Sequence, residues 1–274
     1  MRRLLASCVL LGVCASRAPS VAVEDPTGTA ATAAFYRRFK VSLGYHYSVG
    51  DYGTSQTTEI HYVPLVMTAD LDRWRIQGTI PFLSINGPAG IIEGPNGPIQ
   101  TTSGKSSGLG DLLLRGAYLV PMSRLLPDEW VESSWLPFVD LVGLVKFPTA
   151  SRSQGLGTGE FDFGIETELT WTVGAFTPFT TLGYRVLGSP PNTRLSDVFV
   201  GSIGGLYRFA EWFSAGLLLD YRQSPSPQTG QQLDAVPYAS WLISPSWSLD
   251  TYVSAGLADG SPDVGVGLQA GYGW

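Results

Sequence analysis

The sequence predicts an all-β protein, a transmembrane antiparallel β-barrel of about twelve strands that closes on itself. Three observations carry this expectation. First, the stretch from Val264 to Trp274 alternates strictly. Val264, Val266, Leu268, Ala270, Tyr272 and Trp274 fall on one face, and Gly265, Gly267, Gln269, Gly271 and Gly273 on the other. That is the period of a strand with an apolar face outward and a small, polar face inward. Second, the composition is glycine-rich, aromatic-rich and poor in charge, with 33 glycines, 12% aromatic and 15% charged residues; this suits many strands joined by turns. Third, past the N-terminal segment there is no long continuous apolar run. A membrane-embedded form could then only be a closed barrel, because lipid offers no partner to an unpaired backbone group.

At the N-terminus Arg2-Arg3 precede the apolar run Leu4 to Ala15, and the small residues Ala18, Ser20 and Ala22 follow. These are the three parts of a secretory signal peptide, expected to span 1–22. The run is too short for a transmembrane helix, which needs ~20 residues, and a lipoprotein reading at Cys8 leaves almost no hydrophobic region before the cysteine. Residues 23–37 are small and polar and are expected to be a periplasmic leader, which leaves 38–274 for the barrel. Both cysteines, Cys8 and Cys14, lie in the removable segment, so thiol catalysis, disulfides and Cys-ligated zinc are excluded from the mature chain. The formal net charge of -6, with no Lys/Arg cluster, excludes nucleic acid as a partner.

The strands follow in order. The first, Phe39 to Val49, points Lys40 and His46 inward. The second, about 58–68, is read with Ile60, Tyr62 and Val66 outward and Glu59 and His61 inward. The third, Trp74 to Phe82, turns Arg75 inward. Residues 86–109 are dense in Gly, Pro, Asn, Ser and Thr; they cannot supply a core, so they must lie in water or fold into the barrel mouth. The fourth strand, about 111–120, places Asp111 and Arg115 inside, and the fifth, 136–147, Asp140 and Lys146. The sixth, Glu160 to Trp171, carries an inward row of Glu160, Asp162, Glu166 and Glu168. Such a row could not sit on the buried face of a soluble sandwich without strong pairing, but a wet lumen tolerates it. Strands near 175–187, 197–208, 212–223, 232–243 and 247–257 bring Arg185, Asp220, Arg222 and Asp250 inward, and the terminal strand completes the set.

Connections after odd strands are longer than those after even strands, with 121–134 the exception, as expected for extracellular loops and periplasmic turns with both termini in the periplasm. Trp74, Trp135, Trp171, Trp212, Trp241, Trp247 and Trp274 stand at strand ends and suit an interfacial girdle. Pro64, Pro137, Pro178 and Pro237 are expected at ladder interruptions or strand ends. The terminal Leu268, Tyr272 and Trp274 resemble the C-terminal signal by which barrels are recognised for insertion, which implies the bacterial outer membrane and the barrel-assembly machinery as a partner.

Gly108-Leu109-Gly110-Asp111-Leu112, Lys146-Phe147-Pro148-Thr149 and Gly155-Leu156-Gly157-Thr158-Gly159 with Asp162 just beyond resemble the outer-membrane proteins of the meta-pathway of phenol degradation. Where that family usually has Pro-Thr-Gly, this chain has Ala150. The resemblance implies an outer-membrane barrel associated with uptake of small, often aromatic, hydrophobic solutes.

An outer-membrane lipase would need a nucleophile activated by an oriented His. Only His46 and His61 are present; on adjacent strands they could approach one another with Glu59 nearby, which is also the least that a metal would need. Polar lumen residues with wet partners are the plainer reading, and no cofactor is expected. The inward charges are read first as ion-pair networks; an open lumen with this excess of acids would disfavour anions. Twelve strands lie between a filled eight-stranded barrel and an open porin, so a narrow or plugged pore is expected. The expected function is passive passage of small solutes, with a structural or surface-interaction barrel as the alternative and a lipid-acting enzyme as a third.

Overall fold

The computed structural model describes residues 7–10, 13–15, 38–54, 56–95, 97–122, 125–127, 136–227 and 229–274. Two short strands, β1 (Ser7–Leu10) and β2 (Val13–Ala15), pair antiparallel within the segment read as a signal peptide; the leader at 23–37 lies outside the described residues. The barrel is built from β3 (Phe39–Gly50), β4 (Thr58–Leu71), β5 (Trp74–Gly87), β8 (Gly104–Leu109), β9 (Leu112–Leu119) and β10 (Phe138–Phe147). It continues through β11 (Asp162–Thr170), β12 (Phe176–Leu187), β13 (Val198–Ala210), β14 (Phe213–Arg222), β15 (Gln232–Leu242), β16 (Trp247–Gly256) and β17 (Val264–Gly273). A separate hairpin, β6 (Gly90–Gly94) with β7 (Gly97–Thr101), interrupts the series.

Each barrel strand pairs antiparallel with its neighbour in sequence, and β17 returns to β3 with Val264 opposite Val49 and Tyr272 opposite Val41. That last pairing closes the barrel, with β8 the one barrel segment paired on a single side among the described residues. The fourth strand of the circuit is made in two pieces. β5 pairs with β9 through Trp74–Thr79 and with β8 through Phe82–Gly87. Between them the register slips by one residue at Gly110, whose N–H donates to the Pro81 carbonyl at 2.9 Å, as in a bulge. Counting β8 and β9 together, the described barrel has twelve strands.

The outer surface is apolar along its whole circumference. Leu43, Phe82, Leu114, Leu141, Ile165 and Leu182 are exposed, and so are their counterparts up to Leu268. At the end that holds both termini, aromatic rings form a belt: Phe39 stacks on Trp274 with centroids 6.0 Å apart, Trp247 meets Tyr272 at 5.1 Å and Trp74 meets Tyr118 at 4.8 Å. Trp135 lies outside the described residues. Turns at this end are tight, as at Asp72-Arg73 and Glu211-Trp212, which marks it as periplasmic; the connection from 120 to 137 is the long exception. Pro64 and Pro237 fall where the ladders to β3 and β16 lapse, and Pro137 directly precedes β10, since proline has no N–H to give a ladder.

One face assignment is corrected. In β4 it is Ile60, Tyr62 and Val66 that are buried inside the barrel, while Glu59 and His61 point outward. Tyr47 stands opposite His61 and His46 opposite Tyr62. The apolar set points inward because this sector of the barrel is not wet: the β6–β7 hairpin fills it.

Candidate functional site

Residues 86–109 are expected from the sequence to be loop without a core of their own; 86–87 and 104–109 instead extend the wall as the end of β5 and as β8. The segment between them, carrying the β6–β7 hairpin, folds inward from the extracellular end and shares the core of the barrel wall. Ile92 and Ile99 of the hairpin are buried with Ile60, Tyr62, Leu83 and Ile85 of β4 and β5, together with Leu156 and Tyr52. Ile91 reaches the other side, against Leu187, Leu195, Val198 and Val200. The hairpin therefore spans the lumen. Its tip is held by Arg222 of β14, whose Nη1 donates to the Gly94 carbonyl at 3.1 Å. Its base is held by Arg152, whose Nε donates to Gln100 Oε1 at 3.1 Å, and by Thr102, whose hydroxyl donates to the Gln154 carbonyl at 3.3 Å. Tyr52 sits in the loop after β3 with its hydroxyl 2.6 Å from that of Ser48; burial pushes its ionisation well up, so it stays protonated.

The two glycine-rich motifs and the Lys146-Phe147-Pro148-Thr149 motif meet at one buried lysine. Lys146 is 2% exposed, and its Nζ lies 2.5 Å from Asp162, 3.4 Å from Asp111 and 3.3 Å from the Thr158 hydroxyl. The second carboxylate oxygen of Asp111 accepts from the Ala150 N–H at 2.9 Å, and Thr149 bridges Leu112 N–H and the Gly110 carbonyl. A side chain at Gly157 would put a Cβ 2.8 Å from both Asp111 and Ala150, so the chain can pass here only as glycine. Ala150, the departure from the family pattern, contributes its methyl to the apolar cluster. The motifs thus tie the bulge between β8 and β9 to the loop 148–161.

The acidic row on β11 is matched from both sides. Glu166 accepts from Arg185 of β12 at 2.9 Å and lies 3.9 Å from Arg115 of β9, which also bonds Glu168. Arg115 reaches across β10 because the intervening inward residues, Val142 and Leu144, are apolar and buried beneath the pair. Arg75 pairs with Asp70 at 2.8 Å and Arg222 with Asp220 at 3.3 Å. Asp140 and Asp250 are also buried on the inner face, and Lys40 of β3 interacts with Asp250 of β16 over the intervening β17. Ion pairing is what allows so many charges to be enclosed, since an unpaired one would be costly.

Three sequence-derived site residues are placed elsewhere. His61 lies on the outer face, bonded through Nδ1 to the Tyr45 hydroxyl at 2.8 Å, and Glu59 shares that face. Alternate residues of paired strands point to opposite sides, so His46 and His61 cannot form a dyad or share a metal. Glu160 precedes β11, whose first residue is Asp162; the left-handed φ of 77° at Gly159 turns the chain into the strand there. Residues that the sequence reading passed over are Tyr62, Asp234 and Tyr252. With His46 and Arg222 they line an internal cavity of about 90 Å³ beneath the hairpin tip. Asp234 and Tyr252 had a findable signal, since both lie on the inward phase of their strands.

A closed antiparallel barrel with an apolar exterior, an aromatic belt, an ion-paired interior and tight turns at the end of the termini is a transmembrane barrel of the bacterial outer membrane. Residues 37–273 match the family described as "Putative MetA-pathway of phenol degradation", and the chain belongs to that family. Among curated proteins no relative matches the sequence. Similar solved structures include the KdgM porin in complex with disordered oligogalacturonate, at 10% identity and TM-score 0.49, covering 85% of this chain and 99% of that one. The Pseudomonas putida toluene transporter TodX is similar at 8% identity and TM-score 0.43, covering 86% and 89%. The β domain of the Bordetella autotransporter BrkA is similar at 8% identity and TM-score 0.46, covering 86% and 98%.

Proposed function

We propose that the protein is a passive outer-membrane transporter for small, hydrophobic or aromatic solutes, and that it is not an enzyme. The observation that carries this reading is the apolar seat of the β6–β7 hairpin. A channel for ions or sugars keeps a polar, continuous water path, whereas here the extracellular half is filled by Ile, Leu and Tyr side chains and the hairpin crosses it. Beneath the tip lies a cavity of about 90 Å³. Passage is by transient displacement of the hairpin, with the solute in contact with apolar wall. An exit sideways into the lipid is available at the bulge, where β8 pairs with β5 alone and its other edge meets a loop. The acidic excess of the lumen disfavours anions on any water path that opens.

Insertion is assigned to the barrel-assembly machinery acting on the outward Leu268, Tyr272 and Trp274, all exposed on the terminal strand. The test of transport is permeation of small aromatic compounds into liposomes holding the refolded protein, with bilayer conductance recorded in parallel. Uptake above that of empty liposomes, with little ionic conductance, is the expected result. Folded protein that passes no solute, before and after removal of residues 88–103, would instead be a structural or surface-interaction barrel.

A further inference from the structure

On the outside of the barrel, the outward residues of β4, β5 and β8 form three rows in register near the extracellular end. Val63 stands opposite Phe82 and Phe82 opposite Leu109, and this row is apolar. In the next row His61 stands opposite Ser84 and Ser84 opposite Ser107; in the last, Glu59 stands opposite Asn86 and Asn86 opposite Lys105. Asn86, Lys105 and Ser107 are exposed. Tyr47 extends the middle row onto β3. Its ring centroid lies 5.1 Å from that of His61, whose Nδ1 is 2.8 Å from the Tyr45 hydroxyl. With Tyr45 donating, the imidazole carries its proton on Nε2, a donor for a group outside the wall.

At the same height the wall is apolar on other strands. Phe161 is as far along the chain from Trp171, Val186 from Phe176, Phe199 from Phe209 and Val264 from Trp274 as Ser84 is from Trp74, and all four are exposed. From Trp74 to Ser84 the strand climbs about 33 Å at ~3.3 Å per residue, which a tilt of about 40° turns into about 25 Å of membrane height, the full depth of the apolar band. The polar rows therefore begin where hydrocarbon gives way to lipid headgroups. β8 also has a ladder partner on one side only, so hydrogen-bonding backbone borders Lys105 and Ser107 at a depth where hydrocarbon could not satisfy it.

We propose that this face binds the saccharide headgroup of a glycolipid in the outer leaflet. Sugar hydroxyls donate to Glu59 and to the Asn86 side-chain carbonyl, accept from Lys105 and His61 Nε2, and exchange hydrogen bonds with Ser84 and Ser107. The Tyr45 and Tyr47 rings, apolar in the body and polar at the tip, suit the boundary between acyl chain and sugar. A phosphate headgroup without sugar is a poorer match. Phosphates are gripped by bidentate or clustered bases, whereas Lys105 is the one lysine or arginine in these rows and shares its row with Glu59. The site lies outside the barrel and stands independently of the transport reading.

In the experiment the photo-crosslinking residue p-benzoylphenylalanine replaces Ser84, Asn86 or, as a control at equal height, Phe199. The full-length refolded protein is held in phosphatidylcholine vesicles containing rough lipopolysaccharide. Irradiation is expected to join lipopolysaccharide to the first two positions at least about fivefold more than to the third, with the excess surviving added phosphatidylglycerol. Equal labelling at all three positions, cross-links to a second copy of the protein in place of lipid, or loss of the signal to phosphatidylglycerol overturns the site. Ser84→Val with Asn86→Val makes the face apolar like the rest of the wall. That variant, its folding checked by heat-modifiable gel mobility, is expected to retain about fivefold less lipopolysaccharide through detergent washing than the parent. Undiminished retention by the folded variant also overturns the site, and if the variant does not fold the cross-linking comparison decides.

Discussion

Arg222 and Gly94 are 128 residues apart in the chain and joined by one hydrogen bond of 3.1 Å, which fixes the tip of the hairpin to the far wall of the barrel. The guanidinium is itself held by Asp220 at 3.3 Å. A hydrogen bond to a charged group contributes about 1.5–3 kcal/mol, and each ~1.4 kcal/mol is a factor of ten in a population. Arg222→Gln should therefore raise the withdrawn fraction of the hairpin by about tenfold or more. Deleting residues 88–103 should go further and turn a silent barrel into one with discrete conductance steps. Planar-bilayer recordings on both variants check this; a silent deletion variant would show that the hairpin is not the block.

Lys146 carries the convergence of the three sequence motifs. Lys146→Met leaves Asp111 and Asp162 buried and facing each other, and should destabilise the folded barrel by roughly 3–5 kcal/mol. Adding Asp111→Asn and Asp162→Asn should recover most of the loss, because neutral amides no longer repel. Urea unfolding in lipid vesicles, read by tryptophan fluorescence, measures both.

Glu166 stands between Arg115 and Arg185. Arg115 keeps Glu168 when Glu166 is replaced, whereas no other acid lies within ion-pair range of Arg185 among the described residues. Glu166→Gln should cost about 2–4 kcal/mol, and Glu166→Gln with Arg185→Met less than the single change. A double-mutant cycle in the same unfolding assay tests the coupling.

His61 faces lipid and His46 faces the lumen, so equivalent substitutions should diverge. His61→Phe should alter stability by no more than about 0.5–1 kcal/mol and leave permeation unchanged. A loss of transport in folded His61→Phe would contradict the outward placement.

Trp274 stacks on Phe39 at 6.0 Å across the seam where the barrel closes, and at 6.0 Å on Tyr272, two residues earlier in the chain. Trp274→Ala should lower the folded protein recovered in outer-membrane fractions while leaving refolding in detergent nearly intact. An equal loss in both would assign Trp274 to seam packing rather than to recognition by the assembly machinery.

Strand positions were legible in the sequence because a wall one residue thick, with lipid on one side, forces a period of two on every strand. β11 shows this best. Phe163, Ile165 and Leu169 can only face lipid, so Asp162, Glu166 and Glu168 can only face inward. β4 shows the limit. Its Ile60, Tyr62 and Val66 look like a lipid face and are an interior one, because the wall there meets a hairpin and not water. The alternation identified a strand; it could not say which apolar solvent each side would meet. For the same reason residues 86–109 read as loop, since Ile91, Ile92 and Ile99 are too few to form a core until the barrel supplies the rest.

The sequence alone determined a closed barrel, its strand order, the inward acidic row and the outward aromatic ends, all consequences of local alternation and turn chemistry. The tertiary structure decided that Glu59 and His61 lie outside and that the hairpin lies within. It also decided that Asp111, Lys146, Thr158 and Asp162 form one cluster, and that His46, Tyr62, Asp234, Arg222 and Tyr252 share a cavity. Those relations join residues far apart in the chain, and they follow from barrel closure and register, which no local window contains.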